Sequence, residues 1–131
     1  MRKAVFIALS VLLPAAAGGQ SLRDLRAQDA EERALAREAA YTSEVCGRSI
    51  EAEIDWSSVR DWPADESLVD ACNGALGAVE TICRAGRRNV VHDFECAGDG
   101  SGPSLSGGTL RYGASPGGNG YAATLATIGG R

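Results

Sequence analysis

The chain has 131 residues, 44% hydrophobic and 23% charged, with a formal net charge of −4. That length fits a single domain, and that balance excludes a wholly disordered chain. Aromatic residues make up only 5%, so the core must be built from aliphatic and small side chains.

Residues 1–17 read as an export signal. Arg2 and Lys3 form a positive start, Ala4 to Leu13 an apolar run, and Pro14 precedes a small-residue cleavage site at Ala15-Ala16-Ala17. The apolar run is shorter than the roughly 20 residues of a membrane-spanning helix. Cleavage after Ala17 takes the basic count from 13 to 11 against 17 acidic residues, a net charge of −6 over 114 residues. A chain so charged is not an electrostatic partner for nucleic acid or anionic lipid, and no membrane association is expected once the signal is removed. The expected destination is the periplasm or the extracellular medium.

Residues 18–43 form a charged helical segment. Ser21 to Tyr41 lacks Gly and Pro and is dense in Ala, Leu, Glu and Arg. Its large apolar residues, Leu22, Leu25, Leu35 and Tyr41, make too thin a stripe for a coiled coil, because Asp29 and Glu32 interrupt the heptad. The expectation is a solvent-exposed helix preceding the domain proper, residues 44–131, with a partner-docking arm as the alternative.

Ser49 to Trp56 alternates strictly, with Ile50, Ala52, Ile54 and Trp56 on one face and Glu51, Glu53 and Asp55 on the other, the pattern of a half-buried strand. Residues 57–66 are a connecting loop. The repeated Asp-Trp at Asp55-Trp56 and Asp61-Trp62 admits a sugar-stacking surface, but core or loop-anchoring tryptophans are the commoner outcome. Ser67 to Arg84 is a helix that starts with a capping box-like Ser67/Asp70 pair. Its apolar stripe runs through Leu68, Cys72, Ala75, Leu76, Val79 and Cys83, and Gly86 ends it. Arg84, Arg87 and Arg88 are placed to complement its dipole. Gly74 and Gly77 weaken this helix, which points to close approach by a neighbour.

Asn89 to Cys96 reads as a second strand, with Val90, His92, Phe94 and Cys96 toward the core and Asp93 and Glu95 away from it. From Ala97 onward, 11 of the 17 glycines fall within 35 residues. There Thr109 to Tyr112 and Tyr121 to Ile128 are expected to pair as a hairpin about the loop Ser115 to Gly120.

Cys46, Cys72, Cys83 and Cys96 are an even set, read as two disulfides; no pair has zinc-ligand spacing and His92 is the single histidine, so no metal site is expected at the cysteines. Cys72 and Cys83 lie eleven residues apart on one helix, about 16 Å, beyond the reach of about 7 Å that a disulfide allows. The path of strand, returning helix and second strand then brings Cys83 beside Cys46, and Cys96 level with Cys72. The expected pairs are Cys46–Cys83 and Cys72–Cys96.

Familiar catalytic motifs fail. Gly98 to Pro103 echoes the nucleophile loop of trypsin-like serine proteases over six residues with an inserted Gly, but those enzymes need a far larger body. The glycines lack the Lys-Ser/Thr ending of a P-loop, and no cofactor motif is found. What remains is a carboxylate cluster: if the two strands are neighbours, Glu51, Glu53, Asp55, Asp93 and Glu95 share one side of one sheet, with Arg111 partly compensating. The expected fold is α+β: an antiparallel-rich sheet of about four strands covered by one core helix and stapled by two disulfides. The expected function is a non-enzymatic binding module that uses this acidic face for a cationic ligand, calcium or a basic protein. The alternative is a small hydrolase using the same carboxylates, which needs a concave pocket and a carboxyl with a raised pKa.

Overall fold

The computed structural model describes residues 22–130, so the expected signal segment lies outside the described residues. Three helices pack on one face of a four-stranded sheet. In chain order these are α1 (Leu22–Cys46), β1 (Glu51–Ile54), a short 3-10 turn (Trp56–Ser58), α2 (Leu68–Arg84), β2 (Asp93–Ala97), β3 (Gly102–Ser106), β4 (Thr109–Gly113) and α3 (Tyr121–Ile128). The strand order is β1-β2-β4-β3. Helix α1 lies over β1, α2 over β2 and β4, and α3 over β3. Among the described residues no helix is long and apolar enough to cross a membrane.

The α+β class, the number of strands and both disulfides agree with the sequence reading, although one expected strand, Tyr121 to Ile128, is a helix and Gly102–Ser106 is a strand that the sequence pattern does not show. The strand pairing differs. β1–β2 and β2–β4 are parallel, and only β3–β4 is antiparallel, so the sheet is mixed rather than antiparallel-rich. The physical reason is the crossover: β1 and β2 are joined through α2, and a helix that returns the chain between neighbouring strands makes them parallel. The path that predicts the disulfides already contains this result.

The core helix forms as its pattern requires. The Ser67 Oγ accepts from the Asp70 N–H at 3.2 Å, and ten residues of α2 are buried along one stripe. At the other end, the Gly86 N–H bonds Cys83 O and the Arg87 N–H bonds Ile82 O, which closes the last turn. The Arg87 side chain serves another helix: its Nη1 donates to Ile128 O and Gly129 O, capping the end of α3. Phe94, Leu110, Ile54 and Cys96 from the sheet meet Leu68, Leu76, Val79 and Ile82 from α2 in one continuous core.

Helix α1 precedes the sheet, and most of its residues are exposed. It is not a wholly solvated arm, however. Leu35, Ala39, Thr42 and Cys46 form a buried stripe at three- and four-residue spacing against α2 and β1. Thr42 Oγ1 donates to the Glu80 carboxylate of α2 at 2.6 Å. Cys46–Cys83 bolts the end of α1 to the end of α2, and Cys72–Cys96 ties α2 to β2.

The expected C-terminal hairpin is corrected. Tyr121 to Ile128 is the helix α3, and β4 instead pairs with β3 through the two-residue turn Gly107-Gly108. Both turn residues have positive φ, +58° and +86°, as the tight turn that matches strand twist requires. Three alanines favour the helix, and the Tyr121 N–H bonds Asn119 Oδ1 at 2.9 Å. Thr124 and Ile128 are buried one turn apart. This packing also explains the helical glycines. A Cβ at Gly74 would lie 2.0 Å from Asn119 O, and Gly77 faces the Tyr121 ring.

Candidate functional site

The side of the sheet away from the helices has no covering element among the described residues. Period-two alternation places Ala52, Ile54, Phe94, Cys96, Leu110 and Tyr112 inward and their polar neighbours outward. Register decides which outward groups meet. Glu51 stands beside Asp93, Glu53 beside Glu95, and Glu95 beside Arg111. The structure therefore brings Glu51, Glu53, Asp55, Asp93 and Glu95 to one face, and it divides them into two groups.

The first group is a closed cluster about Arg111. Its Nη2 lies 3.0 Å from both Asp55 Oδ2 and Asp99 Oδ2, its Nε 3.2 Å from Glu95 Oε1, and its Nη1 donates to Ser101 Oγ at 3.1 Å. Two short turns of the same form hold the flanking carboxylates. Asp55 Oδ1 accepts from the Ser57 N–H and hydroxyl, and Asp99 Oδ1 accepts from the Ser101 N–H and hydroxyl. Arg111 and Ser101 hold the Asp99 carboxyl down at about 2, and Ser57 and Arg111 likewise lower Asp55. Asp99 comes close because the loop from β2 to β3 crosses over the end of β4, where the Gly100 N–H bonds Ala114 O. Gly113 makes that crossing possible, since a Cβ there would lie 2.2 Å from Asp99 Oδ1 and from Ser101 Oγ.

The second group is open. Glu51, Glu53 and Asp93, with Glu95 at the boundary, line a groove across β1 and β2 that also touches Thr109. Glu51, Glu53 and Asp93 are all exposed, and no ion pair among the described residues reaches any of the three. Carboxylates side by side on neighbouring strands repel one another. The described residues contain no group of three or more His, Cys, Asp or Glu side chains that could hold a metal ion.

Three other sequence features find their places. His92 is exposed rather than in the core, because β2 begins only at Asp93. Arg48 Nη2 reaches its Nδ1 at 2.6 Å, and its Nε2 is 3.2 Å from Asn89 O. An arginine can only donate, so His92 Nδ1 is the acceptor in this contact. Trp56 and Trp62 are half-buried and anchor the segment after β1. Sequence pattern does not mark Asp99 and Ser101 as site residues, since the protease-loop echo that contains them fails. The signal that could have found them is the repeated Asp-x-Ser, at Asp55–Ser57 and Asp99–Ser101.

The lowered carboxyls give a pH prediction. A folded-state pKa below the ordinary 3.8 means that Asp99 contributes stability above about pH 4 and loses that contribution as pH falls toward 2. Thermal melts should therefore hold steady from pH 7 to about 4 and fall below it. In Asp99→Asn the fall should be shallower. An equally steep fall in the variant would remove Asp99 from the account.

Compared with known proteins, the chain matches no family model, no curated protein and no solved structure.

Proposed function

We propose that this chain is an exported, non-enzymatic binding module whose open acidic sheet face docks a cationic partner surface. The observation that carries the reading is the contrast within one face. Arg111 neutralises the carboxylates at one end, while Glu51, Glu53 and Asp93 stay exposed without an ion pair among the described residues. A basic partner would relieve their mutual repulsion and would gain on-rate from the field of the face. Two disulfides support an oxidising destination, in keeping with the signal read over residues 1–17.

The hydrolase alternative is less well supported. A general acid needs a raised pKa in a concave pocket, whereas the shifted carboxyls, Asp55 and Asp99, are both lowered.

The test is binding of a fluorescent lysine-rich probe peptide across a salt series. Affinity should fall steeply with salt, because exposed charges are screened within about 8–10 Å at physiological ionic strength. Replacing Glu51, Glu53 and Asp93 together by Gln, Gln and Asn should weaken binding about tenfold at low salt, since exposed pairs contribute about 0.2–1 kcal/mol each. Unchanged affinity in this variant would remove the face as the site.

A further inference from the structure

We propose, building on the acidic-face reading, that the free edge of β1 takes its partner as a fifth strand, and that the partner is an extended segment in which basic and apolar residues alternate. β1 and β3 are the two edges of the sheet. The Asp55 N–H bonds Cys96 O of β2. Backbone groups alternate in direction along a strand, so Glu51 and Glu53 turn theirs to β2 as well. The N–H and C=O groups of Ile50, Ala52 and Ile54 therefore point away from the sheet. Ser43 Oγ occupies the first of these, accepting from the Ile50 N–H at 2.9 Å. No hydrogen bond among the described residues reaches the edge groups of Ala52 and Ile54. Unpaired groups along an edge are a template for another strand.

The two edges differ. Pro103 stands within β3 and has no N–H to give an incoming strand. β1 contains no Pro; what it presents instead is the negative charge of Glu51 and Glu53, both exposed. That charge selects the occupant. A second copy of this chain on the same edge would set Glu51 and Glu53 against their own kind, whereas Lys or Arg beside them makes opposite-charge pairs. The alternate residues of an added strand lie level with Ala52 and Ile54, whose side chains pack with the core, so apolar residues suit those positions. A plain run of lysines meets the first condition and not the second. Antiparallel addition needs no crossover, and it makes these apolar residues the ones that exchange hydrogen bonds with Ala52 and Ile54.

The test compares three fluorescent peptides of equal charge: alternating Lys and Val, the same peptide N-methylated at each Val, and one with its lysines in a single run. N-methylation removes the donors to Ala52 O and Ile54 O and leaves every charge in place, so it should weaken binding at least about tenfold. The lysine run should bind several-fold more weakly than the alternating peptide. Hydrogen exchange at the Ala52 and Ile54 amides should slow several-fold in the complex with the alternating peptide. Equal binding of the N-methylated peptide, or unchanged exchange at both amides, would overturn edge addition; the acidic face would still stand if binding kept its dependence on salt and on Glu51, Glu53 and Asp93. Binding by none of the three peptides would overturn both.

Discussion

Removing the Cys46–Cys83 bridge by paired alanine substitution should lower the unfolding free energy by about 4 kcal/mol. This bridge closes a separation of 37 residues, and the Cys72–Cys96 bridge one of 24. Constraint of the unfolded chain grows only with the logarithm of that length, so the second bridge should contribute slightly less, about 3.5 kcal/mol. Both figures are large beside the 5–15 kcal/mol that is typical of a whole domain. Their local consequences differ. Without Cys46–Cys83, α1 is held by the Leu35 and Ala39 contacts and the Thr42–Glu80 hydrogen bond. Without Cys72–Cys96, two fully buried sulfurs leave a defect where α2 crosses β2. Urea denaturation followed by circular dichroism measures both losses. A loss below about 1 kcal/mol for either pair would mean that the bridge does not staple the fold as described.

Replacing Arg111 by Leu should cost about 1–3 kcal/mol at pH 7, because it leaves Asp55, Glu95 and Asp99 crowded with no cation between them. The Arg111 side chain is 28% exposed, which places the effect between that of a surface pair and that of a buried one. The sign with pH is opposite to that of the native protein. Arg111 lowers Asp55 and Asp99, so without it their folded-state pKa values rise. The variant should recover ground on the native protein as pH falls toward about 4. Arg111→Lys should lie between the two, since an ammonium supplies charge but not the planar fork that reaches three carboxylates and a hydroxyl. Paired denaturation curves at the two pH values read all of this. A loss that is the same at both would mean that Arg111 acts through packing and not through charge.

Much of this architecture is legible in residue spacing. The α2 stripe, the Ser67 start and the Gly86 stop follow from three- and four-residue periodicity and capping chemistry. The disulfide pairing follows from the rise of a helix against the rise of a strand. What is not legible depends on contacts distant in sequence. Gly102–Ser106 contains Gly, Pro and Ser, which have low strand propensity; it is a strand because it pairs with β4, and Pro103 is tolerated on an edge strand. The buried side of α1 is obscure because Ala39 and Thr42 do not read as core residues until α2 and β1 cover them. Tyr121 to Ile128 has strand-like ends and a helical middle, and its packing on Gly74 and Gly77 accompanies the helix. The carboxylate face is legible as a face from alternation alone. Its division into closed and open groups is not, because that depends on a loop crossing that brings Asp99 to Arg111.

The open group is where the account stands or fails, and a two-dimensional ¹⁵N–¹H titration with the lysine-rich probe peptide examines it residue by residue. The largest shifts should fall on the amides of Glu51, Glu53, Asp93 and Thr109 and fade as salt is raised. They should be absent in the variant lacking the Glu51, Glu53 and Asp93 charges. Shifts spread evenly over the exposed acids of α1, or centred on its face with the sheet silent, would contradict the acidic sheet face as the binding surface.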